Sequence, residues 1–272
     1  MTVRPGESGS AGTPGGTGGT GGTGVDGVAR GGRLPERRLI LIRHGQTEFN
    51  LRGRMQGQLD TPLTDAGRAE AEAAAAELGT WPIGTVVSSD LQRARDTASL
   101  LAEALGVEYT TDPRLRETDL GDWSGKAHED VDSVFPGQRS HWRLNPTWAP
   151  PNGETRLEVS DRSAALVDEL MASDAWAGGA VMLVAHGGTI SALTSRLLGI
   201  PTEHYPMFGG LGNARWSQLV ARPTADGAGV GADTDAGVWR APRWFLEGWN
   251  VGVAAPAPVA VANADEGEVT GR

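Results

Sequence analysis

The 272-residue chain contains no cysteine. Disulfides, thiolate nucleophiles and cysteine-ligated zinc are excluded, and the redox compartment is left open. No run approaches 18 consecutive apolar residues, so no membrane-spanning helix is expected. The amino-terminal stretch lacks the apolar core of a signal peptide, and a cytoplasmic protein is expected. Basic residues are the minority: 24 Lys and Arg against 34 Asp and Glu give a net charge of −10. That balance argues against general binding to nucleic acid or an anionic membrane, while leaving room for a local basic pocket. Metal-ligand spacings such as His-x-x-x-His are also missing, so neither a metal nor another cofactor is called for.

What is present falls into three parts. Residues 1–36 are dominated by Gly, Thr, Ser and Pro and cannot repay the entropy of ordering, so a disordered leader is expected. Residues 37–250 form the body. Residues 251–272, rich in Ala, Pro and Val, read as a disordered tail. Within the body, strand-like and helix-like segments alternate. Strands are predicted from Arg37 to the first Arg-His-Gly, over 83–87, 107–110 and 180–185, and helices over 65–78 (capped by Thr64 and ended by Gly79), from Leu91 to Leu105, over 155–171 and over 189–198. Two aromatic-rich strand stretches, 213–220 and 238–249, flank a Gly/Ala/Asp-rich loop over 222–237, and could pair antiparallel at an edge. Segments 50–64 and 124–153 read as an ordered loop and a long excursion or cap. The order predicts an α/β three-layer sandwich, a mostly parallel sheet with helices on both faces.

Two strands end alike. Leu39-Ile40-Leu41-Ile42 stops at Arg43-His44-Gly45, and Val181-Met182-Leu183-Val184-Ala185 stops at His186-Gly187-Gly188. Ligands of open α/β sheets bind outside the carboxyl ends of the strands, so both histidines are expected at a site. Arg93 begins a helix whose positive end disfavours a cation, which asks for a reason other than helix stability. Residues at strand ends and adjoining loops are Arg43, His44, Asn50, Gln56, Arg93, Glu117 and His186. Two guanidiniums, two imidazoles, an acid and two amides suit a phosphate monoester. A neutral His44 would attack phosphorus, while Arg43, Arg93, Asn50 and a protonated His186 hold the equatorial oxygens. Glu117 would protonate the leaving alkoxide and then activate water. His128 and His141 read as surface histidines, and Trp148, beside Pro150 and Pro151, as the first place to seek a sugar platform.

Leu41–Thr47, Ser88–Ala98, Leu115–Glu117 and Val184–Gly188 together resemble the histidine phosphatase superfamily, also called phosphoglycerate-mutase-like, over about residues 38–220. The resemblance implies His44 as the phosphorylated nucleophile, Glu117 as proton donor and a pocket of Arg43, Asn50, Arg93 and His186 with Gln56 nearby. Arg54–Thr61, which adds Gly57 to the substrate contacts, Thr147–Glu154 and Gly209–Trp216 are similar to a phosphatase branch acting on phosphorylated sugar acids. That branch implies a homodimer without metal. Gly121-Asp122-Trp123-Ser124-Gly125 stands where mutases carry a longer basic insert, leaving a broad-specificity phosphomonoesterase or the mutase as alternatives and a non-catalytic phospho-ligand module as the last.

Overall fold

The computed structural model describes residues 36–224, Trp239 and residues 241–252. Nearly all of the expected leader, of the 222–237 loop and of the tail lies outside the described residues. Six strands form one sheet: β1 (Arg37–Arg43), β2 (Ile83–Ser88), β3 (Tyr109–Thr111), β4 (Ala180–Ala185), β5 (Trp216–Arg222) and β6 (Arg243–Val251), in the order β3-β2-β4-β1-β5-β6. The first four strands of that order are parallel. β5 is antiparallel to β1, and β6 to β5, so the sheet is mixed, with its antiparallel part at one side.

Alternation along β1 and β4 divides the core. Leu39, Leu41, Val181 and Leu183 face a cluster with α6 (Arg156–Met171) and α7 (Gly187–Leu197), while Ile40, Ile42, Met182 and Val184 face α2 (Asp65–Leu78) and α3 (Gln92–Leu105). All eight are fully buried. At roughly 1.5–3 kcal/mol per buried aliphatic side chain, these two strands anchor both layers. Helix α2 forms as expected. Thr64 accepts a hydrogen bond from Gly67 N, and the small residues Gly67, Ala71, Ala74 and Ala75 turn to the sheet. The helix therefore packs close.

Strand β3 spans Tyr109–Thr111 where 107–110 was expected, β5 and β6 begin at Trp216 and Arg243 where 213 and 238 were expected, and three further parts differ more. A one-turn helix α1 (Glu48–Leu51) precedes the first loop, closed by reciprocal hydrogen bonds between Thr47 and Asn50. The 124–153 excursion contains α4 (His128–Val134) and α5 (Gln138–Leu144), seven residues each, over a small cluster of Met55, Leu120, Trp123 and Val131. Helix α7 begins at Gly187, two residues before the expected Thr189. None of the described helices is long and apolar enough to cross a membrane.

Candidate active site

The register of β1 on β4 sets Arg43 opposite Ala185, so the next residue of each strand, His44 and His186, stands beside the other. Their ring centroids are 5.1 Å apart. Both are buried, and Arg93 reaches them from α3 with 1% of its own surface exposed. Arg93 Nε donates to His44 Nε2 and to His186 Nδ1, each at 3.2 Å, while its two terminal nitrogens donate to the Leu59 and Gly57 carbonyls at 2.8 Å. The guanidinium is thus fixed in plane.

This arrangement decides the tautomers. His44 accepts on Nε2 and so carries its hydrogen on Nδ1, which donates to its neighbour Gly45 O at 2.6 Å. His186 accepts on Nδ1, and its Nε2 donates to Ser89 Oγ at 2.9 Å. Burial, followed by the charge of Arg93, holds both imidazoles well below the ordinary histidine value. The shift favours the neutral form of both rings, against the protonated His186 expected from the sequence. His186 is joined to the cavity through Arg93, whose Nε donates to both rings.

The loop after His44 is held by contact between backbones. A Cβ on Gly45 would lie 2.1 Å from Gly67 O, and one on Gly67 would lie 2.0 Å from Gln46 O, so only glycine permits this approach at either position. Ala214 N and Asn213 Nδ2 both donate to His44 O at 3.1 Å. Asn213 Nδ2 also reaches Asn50 Oδ1, which accepts from Thr47 N as well. With its oxygen so occupied, Asn50 keeps its amide nitrogen for another partner. Gln56 lines the cavity, but its side chain is engaged by Thr47, Thr61 and Leu59 of the same loop.

Glu117 enters from the loop after β3 to the amino end of α7. Its carboxylate accepts from Thr118 N at 2.8 Å, Gly188 N at 3.0 Å and Thr189 N at 3.2 Å. A Cβ on Gly188 would lie 2.4 Å from Glu117 Oε1, so the second glycine after His186 makes room for the acid. Arg43 donates one terminal nitrogen to Leu211 O at 2.6 Å. Its Nε is buried with no partner among the described residues, and burial lowers its pKa.

Arg43, His44, Asn50, Gln56, Gly57, Arg93 and Glu117 therefore line one cavity of about 610 Å³. Of the residues read as surface groups, His128 lines it too, and Trp142 does so in place of Trp148, which packs on Trp123 and His141. Arg54, Arg143 and Arg156 complete the outer wall. The reading by residue type missed Ser89, whose only signal was its place just past β2, at the same sheet edge as His186. With tautomers fixed, a nucleophilic nitrogen ready and guanidiniums around it, the cavity can bind an oxyanion and form a bond to its central atom.

The family model for the histidine phosphatase superfamily (branch 1) matches residues 39–227. A glucosyl-3-phosphoglycerate phosphatase of Mycolicibacterium vanbaalenii is 49% identical over 219 residues, covering 79% of this chain and 94% of that protein. The enzyme so named in Mycobacterium tuberculosis is 46% identical over 231 residues, covering 82% and 98%. The structure of a mycobacterial glucosyl-3-phosphoglycerate phosphatase complexed with VO3 superposes with a TM-score of 0.69 at 46% identity, over 79% of this chain and 98% of that one.

Proposed function

The chain belongs to the histidine phosphatase superfamily, and from that premise we propose that it hydrolyses glucosyl-3-phosphoglycerate to glucosylglycerate and inorganic phosphate. The substrate is suggested by the relatives' names and their near full-length match. In this reading the lone pair of His44 Nε2 turns from Arg93 Nε to attack phosphorus, and the bond from phosphorus to the glycerate oxygen breaks. The departing alkoxide takes a proton from Glu117, a transfer worth about 10²- to 10⁴-fold in rate. Water then attacks the phosphohistidine, Glu117 takes its proton, and the phosphorus–nitrogen bond breaks to restore neutral His44. Arg43, Arg93 and the Asn50 amide hold the equatorial oxygens, and His186 keeps Arg93 in place. Charge on those oxygens is what the protein must neutralise in phosphoryl transfer.

The observation that carries the reading is the hydrogen bond from His44 Nδ1 to Gly45 O, which leaves Nε2 as the nucleophilic nitrogen beside Arg93. A cytoplasmic homodimer serving methylglucose lipopolysaccharide synthesis belongs to the same proposal. Light scattering of the pure protein tests the dimer. With a chelator present, the protein is expected to release phosphate from glucosyl-3-phosphoglycerate faster than from 3-phosphoglycerate, and His44→Ala to lose at least about a thousandfold. Conversion of 3-phosphoglycerate to 2-phosphoglycerate with little phosphate released would make it a mutase instead.

A further inference from the structure

The cavity carries more positive charge than one phosphate group uses. Beyond Arg43 and Arg93, its wall holds Arg54, Arg143 and Arg156, and Glu117 is the single carboxylate among the lining residues. Arg156 is the most informative of the three. It is the first residue of α6, where the positive helix end disfavours a cation. Its side chain is half-buried, and desolvation pulls its pKa down. The guanidinium lies 5.0 Å from the Trp142 ring centroid and donates to Arg143 O at 3.3 Å. Among the described residues no carboxylate comes within ion-pair distance of Arg54, Arg143 or Arg156.

Stacking on Trp142 explains where the Arg156 guanidinium sits, but not why Arg143 lies close enough to oppose its charge, with Arg54 on the same cavity wall. Trp142 Nε1 is itself buried without a partner among the described residues. We propose that Arg156, flanked by Arg143 and Arg54, forms a second anion subsite that takes the carboxylate of the phosphorylated acid. The cavity then selects phosphorylated hydroxy acids over phosphate monoesters of uncharged alcohols. The proposal rests on the phosphatase reading for the orientation of the substrate: phosphate at His44, leaving group toward α5 and α6. The face of Trp142 restrains the guanidinium plane, and a planar fork matches the two oxygens of a carboxylate.

Binding separates this proposal from catalysis. The full-length His44→Ala protein is titrated calorimetrically with 3-phosphoglycerate and with glycerol 3-phosphate, which differ only in a carboxylate against a hydroxymethyl group. The acid is expected to bind at least about tenfold tighter, as two charge-assisted hydrogen bonds imply. Adding Arg156→Gln should bring the ratio within about twofold, and Arg156→Lys should keep part of it. A parent that does not distinguish the two ligands overturns the proposal, as does a ratio that survives Arg156→Gln. If Arg156→Gln does not fold, as judged by circular dichroism, Arg143→Gln takes its place, with a partial fall in the ratio expected and an unchanged ratio counting against the subsite. Phosphate release by the parent enzyme is scored separately: none from any monoester sinks the phosphatase reading, whatever the binding ratio shows.

Discussion

His44, Arg93 and His186 are 3%, 1% and 0% exposed and hang from the ends of sheet strands or the helix beside them. The opposite wall is built differently. Val134 and Leu144, at the ends of α4 and α5, are 63% and 72% exposed, and the cluster beneath them has four buried residues against eighteen in the larger core. The floor is held by ladders and a fixed guanidinium, whereas the wall is held by a few aromatic contacts around Trp123. Segments with few buried contacts open locally at lower cost than core strands. The difference divides the labour: rigid atoms below for the bond to phosphorus, a softer surface above for the rest of the substrate.

If that division is right, damage to each region should leave a different kinetic mark. Arg93→Gln is the most severe change short of removing the nucleophile. It takes donors from two imidazole nitrogens and two carbonyls, and kcat is expected to fall about 10²- to 10³-fold with a clear loss of Tm. A fall confined to KM would blur the distinction between floor and wall. Trp123→Leu should do the reverse. Its ring packs on Phe135, Trp142 and Trp148, so shrinking it loosens the wall, raising KM several-fold with little change in kcat. Amide exchange should quicken in α4 and α5 and not in β1 or β4. Uniform quickening would mean that the molecule opens as one piece.

The smallest effect is that of pH. His44 and His186 are held below the ordinary histidine value by burial first and Arg93 second. The unfolded chain therefore binds protons near pH 6.5 that the folded chain refuses, so stability is full above that value and declines as pH falls below it. Asp90 and Asp112, held below the ordinary carboxylate range by arginine hydrogen bonds, act only in a more acid window. Thermal scans between pH 7 and 5 are expected to show a falling Tm, with a shallower slope in His44→Gln. An equal slope in both proteins would show that the buried imidazoles are not its source.

The floor was legible because its signals are short and local: an apolar run, a histidine, a glycine, repeated at two strand ends that a parallel sheet must bring to one edge. The helix under Arg93 was equally plain, since Leu91, Ala94, Ala98 and Leu101 share a face. The wall was not. Seven-residue helices are too short for a period to show. Whether Trp142 or Trp148 meets the cavity depends on the phase of α5, which no neighbouring proline reveals. Arg156 was hidden within an amphipathic helix, and its place on the cavity wall beside Trp142 appears only once the fold is known. The start of α7 was misjudged because Gly187 and Gly188 argue against a helix interior, yet at its first turn they supply the bare backbone that Glu117 needs.

The pairing of Arg43 with Ala185 has one more consequence. Two rings set abreast by a hydrogen-bonded ladder keep their spacing whatever the intervening polypeptide does. Replacing the segment between Gly121 and Gly153 with one of another length or shape would leave that spacing alone. The reaction socket is thus set by the sheet, and a graft between Gly121 and Gly153 would exchange one side of the mouthpiece while leaving Arg156 and the chemistry below in place.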